Sequence, residues 1–285
     1  MSRESPPRVR RISGPSSSRA RGTPGNATPS SSSALVLVEQ RGGVRVLRLN
    51  RPEKLNALSH ALIDGLLGAV AAAGRDAATQ AIVVFGSGRA FCAGADLDEI
   101  RGLQTPAAIR AHASQGVRLQ AVFRKIAKPV VCGVHGYAFG AGCGLVAASD
   151  LAVASESAKF GYPEITRNVL PALVLPNLCR QVGRKAAFAL VATGQPIDAR
   201  TALALGLVNE VVPESALEDS ALDVAAGLCA RDPATLTALK KLFVQVTEQP
   251  FQAALRTAQI ANERCRVARL KSGAAAGTAQ RGAEP

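Results

Sequence analysis

The sequence predicts an α/β core followed by a helical C-terminal region. Three observations carry that prediction. Between residues 34 and 155, strand-like segments alternate with segments of helical period, the order that packs helices against a largely parallel sheet. Beyond Pro171 the periodic segments read as helices separated by Gly, Pro or Asp breaks. Two glycine-rich turns each follow a predicted strand, at the strand ends where α/β folds bind ligands.

The elements follow in order. "ALVLVEQRGGVRVLRLNRP", from Ala34, reads as two strands around a Gly-Gly turn. "SHALIDGLLGAVAAAGRD" has helical period, with Ser59 at the N-cap. "AIVVFGSG" is a short buried strand closed by turn residues. "TPAAIRAHASQGVRLQAVFRKIA" is a second helix opened by Thr105 and Pro106, and "KPVVCGVHG" is another strand. "PALVLPNLCRQVGRKAAFALVATG", "DARTALALG", "ESALEDSALDVAAGLCARD" and "PATLTALKKLFVQVTEQPFQAALRTAQIANERC" supply the later helices. The domain reading is a tail over 1–33, an α/β core over 34–212, a helical region over 213–268 and a frayed or disordered tail over 269–285.

Composition narrows the function classes. With 285 residues and 47% of them apolar, the chain can bury a large core. No apolar run reaches the roughly 18–20 residues that span a bilayer, and no secretory signal pattern opens the chain, so a cytoplasmic protein with no membrane partner is expected. Six cysteines lack C-x-x-C spacing, which fits reduced thiols. His60, His112 and His135 lack metal-ligand spacing, and His135 reads as structural. The net charge is +13, but residues 1–33 hold six arginines against one glutamate in a Ser/Pro/Gly-rich segment without hydrophobic periodicity, the composition of disorder. With no Trp and two Tyr, the chain lacks the aromatic platforms of base stacking, so no specific nucleic acid is expected.

The first glycine-rich turn is "RAFCAGADLDEI", from Arg89 to Ile100; the second is "GYAFGAGCGL", from Gly136 to Leu145. Small residues admit a ligand close to the backbone, and amides at a following helix N-terminus face developing negative charge. Two such turns brought together make an oxyanion hole. Asp96 reads as the cap of the helix after the first turn.

Four motifs stand in order: "LNRPEKLNALS" (49–59), "GRAFCAGADLDEI" (88–100), "KPVVCGVHGYAFGAGCGLVAASDLAVASESAKFGYPEI" (128–165) and "TGQPIDARTALALGLVNEVVP" (193–213). In them the chain resembles the enoyl-CoA hydratase/isomerase, or crotonase, family over about residues 36–260. The resemblance implies a crotonase-like spiral of β-β-α repeats with a helical C-terminal trimerisation region, assembled as a homotrimer or a hexamer made as a dimer of trimers. It implies an acyl-CoA thioester substrate, no metal and no separate cofactor, since coenzyme A is part of the substrate. It maps the two oxyanion N–H donors to Cys92 and Ala141, and the CoA phosphates to Arg51 and Lys54. Ala57, Ala93, Gly94, Ala95, Asp96, Gly140 and Tyr162 complete the substrate surroundings that it implies.

The family's hydratases carry two glutamates. The second-turn position here is Gly144, and the other is Glu164 in "FGYPEI". Hydration divides its proton transfers between two groups; moving a double bond needs one group to take a proton and return it two carbons away. The reading is therefore a thioester-enolate enzyme with Glu164 as single acid/base, isomerisation ahead of hydration. Phe160, Tyr162 and Ile165 are expected to desolvate Glu164 and raise its pKa. The alternatives are a hydratase of the methylglutaconyl-CoA hydratase-like branch, with Tyr162 or Glu99 as second proton carrier, or a catalytically inactive acyl-CoA- or RNA-binding member.

Overall fold

The computed structural model describes the backbone of residues 34–281 and the side chains through Leu270. The predicted tail 1–33 and residues 282–285 lie outside the described residues.

β1 (Val36–Arg41) and β2 (Val44–Leu49) form the predicted hairpin, and Gly42 at φ +57° supplies the left-handed turn between them. β2 then pairs in parallel with β3 (Ala81–Gly86), whose six residues are all buried, as expected of a parallel strand covered on both faces. β4 (Val130–Val134), β6 (Leu151–Ser155) and β9 (Glu210–Val212) extend the sheet in the order β1-β2-β3-β4-β6-β9, parallel from β2 onward. A second sheet, β5 (Tyr137–Phe139), β7 (Lys159–Gly161) and β8 (Ile197–Asp198), lies in the order β5-β7-β8. These strands are two or three residues long, too short for a period to register in sequence.

Helices cover both faces of the large sheet. α1 (His60–Arg75) is capped as predicted, Ser59 Oγ accepting from the Leu62 N–H at 3.2 Å. It buries Leu62, Ile63, Leu66, Val70 and Ala73 in the main core, the stripe of an amphipathic helix. α2 (Leu97–Arg101) follows the first glycine turn. α3 (Pro106–Gln120) starts with Pro106 behind the Thr105 cap, as predicted. α4 (Ala141–Ala148) follows β5 directly and is buried through most of its length.

The later chain corrects three expectations. The helix predicted across "LCRQVGRKAAF" is two, α5 (Leu175–Gln181) and α6 (Arg184–Thr193), parted at Gly183. After α7 (Ala199–Ala204), α8 (Leu217–Cys229) lies past the predicted core boundary at 212, yet it belongs to the core. Its Leu217, Ala221 and Ala225, spaced four apart, pack with Val44, Val46, Val83 and Val153 on the second face of the sheet. α9 (Pro233–Val246) follows, and α10 begins at Phe251 and continues to Arg281, through most of the stretch 269–285 for which no regular structure was expected. Alanine, the strongest helix former, is the commonest residue of that stretch and outnumbers its glycines. Among the described residues, no helix is long and apolar enough to cross a membrane.

Candidate active site

The two glycine-rich turns meet. A β-carbon on Gly94 (φ +100°) would lie 2.9 Å from the Phe139 carbonyl oxygen and 3.7 Å from the Ala141 nitrogen. One on Gly142 would run into the Cys92 carbonyl oxygen and lie 2.7 Å from the Cys92 Cβ. Neither approach tolerates a side chain, which is the physical reason for glycine at both places.

Hydrogen bonding decides which amides are free. Cys92 is bridged to Ala138 in parallel fashion: its N–H donates to the Tyr137 carbonyl at 2.9 Å, and its carbonyl accepts from the Phe139 N–H at 2.9 Å. The expected oxyanion donor Cys92 is therefore engaged, and that assignment is corrected. The Ala93 N–H donates to the Leu55 carbonyl at 2.9 Å. Ala95 is different. It bridges Leu58 through its neighbours, Leu58 N–H to the Gly94 carbonyl at 2.8 Å and Asp96 N–H to the Leu58 carbonyl at 3.2 Å. In such a bridge the central residue's own N–H points away from the partner strand. No acceptor is found for it among the described residues, nor for the Ala141 N–H in the open first turn of α4. Alternation along an extended chain separates Ala95 from Cys92, and the sequence carries no mark of which phase faces the cavity.

Glu164 reaches the same turn. β7 runs parallel to β5, the Gly140 N–H donates to the Gly161 carbonyl at 2.9 Å, and a 3-10 turn over Pro163–Arg167 then carries Glu164. A β-carbon on Gly140 (φ +52°) would lie 2.5 Å from Glu164 Oε1. Glu164 Oε2 is buried and has no hydrogen-bond partner among the described residues. Burial raises the carboxyl's pKa above the ordinary glutamate value, against a smaller lowering by its own backbone N–H and by Arg167.

Other predicted residues take different places. Asp96 caps α2, accepting from the Asp98 and Glu99 N–H groups, and also pairs with Arg51. Burial opposes its ionisation, but those bonds hold its pKa below the usual range. Arg51 donates as well to the Ala57 carbonyl at 3.2 Å, so its Nη1 pins the loop. Lys54 stays exposed, paired with Asp98 at 3.0 Å. Tyr162 is wholly buried in the core, with its hydroxyl beside Cys143 and its pKa pushed well up, chiefly by burial. That burial sets it within the core, a correction to its expected place on an open substrate surface. Glu99 Oε2 accepts the His60 backbone N–H at 2.7 Å, a second cap on α1. His135 Nε2 bonds the Gly88 carbonyl at 2.8 Å, the expected structural role. His60 and His112, distant in sequence, meet edge to face at 5.3 Å. Burial drives the Cys92, Cys132 and Cys143 thiols up to about 12, which leaves them without nucleophilic thiolate.

Three polar residues of the site carry no sequence signal. Asn56 is fully buried; its Nδ2 donates to the Ser87 and Ala90 carbonyls at 2.9 and 2.8 Å, and its Oδ1 accepts from the Arg51 N–H at 2.8 Å. Those bonds clamp the 51–58 loop onto the first glycine turn. Gln120, the last residue of α3, and Asn177 of α5 lie beside Gly144.

Residues 39–276 match the model of the enoyl-CoA hydratase/isomerase family. The chain belongs to that family. It is 37% identical over 222 residues to the 2,3-dehydroadipyl-CoA hydratase of Escherichia coli (strain K12), covering 77% of this chain and 86% of that one. It is 32% identical over 228 residues to the short-chain-enoyl-CoA hydratase of Clostridium acetobutylicum, covering 78% and 84%. Among solved structures, an enoyl-CoA hydratase from Mycobacterium smegmatis superposes with a TM-score of 0.78 at 35% identity, over 81% of this chain and 90% of that one. The crotonase fold and an acyl-CoA-directed enzymatic function follow from this membership of the hydratase/isomerase family.

Proposed function

We propose that this enzyme forms a thioester enolate from an acyl-CoA, with Glu164 as its single acid/base and the Ala95 and Ala141 N–H groups as oxyanion donors, and that its preferred reaction moves a double bond from the 3- to the 2-position. Glu164 removes a proton from the α-carbon of a 3-enoyl thioester. The electron pair of that C–H bond passes into a dienolate, whose oxygen the two N–H groups stabilise. Glu164 then returns the proton to the γ-carbon as the carbonyl re-forms, leaving a 2-enoyl thioester. The observation that carries this reading is the Glu164 carboxyl lying against Gly140, one residue before a free helix N-terminal amide, while position 144 holds a glycine.

Lys54, exposed beside the loop, is proposed to meet the CoA phosphates. Assembly into trimers or hexamers is proposed as well, supported by large apolar side chains left exposed on α6, α9 and α10. A second reading, hydration of a 2-enoyl thioester, is favoured by the names of the relatives above.

The test is a pair of assays with Glu164→Gln as control. Crotonyl-CoA loses its conjugated absorbance on hydration; a 3-enoyl-CoA gains it on isomerisation. The expectation is faster isomerisation in the wild type and a loss of about 10²–10⁴-fold in the variant, with CoA affinity kept within threefold. Unchanged turnover in the variant removes Glu164 from the mechanism.

A further inference from the structure

We propose that Gln120 restricts this site to one-carboxylate chemistry, its carboxamide filling the space beside Gly144 from which a second acid/base group would act. The inference rests on the enolate reading and deepens it.

Gly140 and Gly144 stand four residues apart at the start of α4, about 6 Å along a helix axis. A β-carbon on Gly140 would lie 2.5 Å from Glu164 Oε1, and one on Gly144 would lie 2.5 Å from Gln120 Oε1 and 2.7 Å from its Nε2. Carboxyl and carboxamide thus flank the same end of the same helix, about a turn apart. Gln120 is only 7% exposed, and its side chain is held from two directions. Nε2 donates to the Ala141 carbonyl at 3.3 Å, on the residue whose N–H is the proposed oxyanion donor. Oε1 accepts from Asn177 Nδ2 at 3.2 Å, and the same Nδ2 also donates to the Gln120 backbone carbonyl at 2.9 Å.

A carboxamide offers two N–H donors and two lone pairs, so one of each is left after these bonds. It can hold a water or an acyl oxygen, but it neither takes nor gives a proton near neutral pH. Hydration needs both transfers. A base takes a proton from water as the water oxygen bonds to the β-carbon and the π pair moves onto the thioester oxygen; an acid then delivers a proton to the α-carbon as the carbonyl re-forms. With a carboxamide in the second place, Glu164 must serve both steps. Isomerisation makes no such demand, because one proton leaves and returns by one group.

Gln120→Glu, nearly isosteric, installs the second carboxylate. Hydration of crotonyl-CoA and isomerisation of a 3-enoyl-CoA are measured in wild type and variant across pH. The ratio of hydration to isomerisation is expected to rise at least tenfold, and the hydration profile to gain a second ionisation; a positional change in a merely structural residue lowers both rates together. An unchanged ratio in a folded variant overturns the assignment. Where Gln120→Glu fails to fold, Gln120→Ala combined with Gly144→Glu carries the carboxylate on α4, and the same ratio decides. The wild-type rates alone judge the proposed isomerisation, so the two readings can fail separately.

Discussion

A single methyl group separates alanine from glycine, and at residue 140 it is enough to displace the carboxylate on which the proposed chemistry depends. Gly140→Ala would put a carbon 2.5 Å from Glu164 Oε1 and impose a side chain on a backbone at φ +52°, ψ −122°. The expected outcome is a destabilisation of about 1–3 kcal/mol, read by denaturant unfolding, with kcat down at least a hundredfold. A variant with wild-type kcat would show that Glu164 does not need its present place. The raised pKa of Glu164 has two further consequences of opposite sign. As a base it must be ionised, so kcat/KM for isomerisation should climb with pH through a limb lying above the ordinary glutamate range. For stability, a raised folded pKa favours the protonated form, so its contribution is present at low pH and is lost as pH rises through the folded value. Glu164→Gln should therefore match wild type in Tm at pH 4–5 and exceed it at pH 8. A Tm that falls in the variant at pH 8 contradicts a desolvated carboxylate.

At the scale of elements, what the sequence made legible depended on range. The Ser59 and Thr105 caps, the apolar run of β3 and the Gly42 turn are decided within a few residues, and the structure has each as predicted. The second sheet was not legible, since β5, β7 and β8 owe their extended form to one another. The choice of Ala95 over Cys92 was hidden for the same reason: a strand's phase is set by the partner it pairs with. Gln120 met Gly144 only because α3 packs on α4. The Lys240–Asp150 pair extends this pattern across 90 residues. Lys240 is buried, donating to Asp150 Oδ2 at 2.7 Å and to the Lys128 carbonyl at 2.7 Å, while Asp150 Oδ2 also accepts the Val130 N–H at 2.7 Å. One carboxylate thus ties α9 to the start of β4. Lys240→Ala removes the cation and leaves Asp150 partly buried, an effect of about 3 kcal/mol at the lower end for such pairs because Asp150 is not fully enclosed. Lys240→Met, which keeps the packing of the stem, should lose less. Equal losses in urea unfolding would assign the effect to the lost ion pair and hydrogen bonds alone, with no share for the packing of the stem.

At the scale of the whole molecule, the core is closed while the C-terminal helices are not. Leu239 and Phe243 on α9 and Phe251 and Leu255 on α10 are each at least half exposed. Fully burying a side chain of this kind from full exposure contributes about 1.5–3 kcal/mol, so four that start 50–73% exposed supply about 4–7 kcal/mol per copy. That is comparable to the 4–15 kcal/mol or so that association costs in lost freedom, and an assembly repeating the contact at each interface has the driving force it needs. Light scattering should accordingly give three or six times the chain mass at micromolar concentration. Phe243→Glu with Phe251→Glu, both on surfaces away from Glu164 and the glycine turns in sequence and exposed in the single chain, should leave the fold's circular dichroism intact and shift the mass to that of one chain. A wild type that scatters as a monomer refutes the assembly, and a double variant that keeps the wild-type mass moves the interface to another face, with Leu170 and Phe188, more than 70% exposed, the next to substitute.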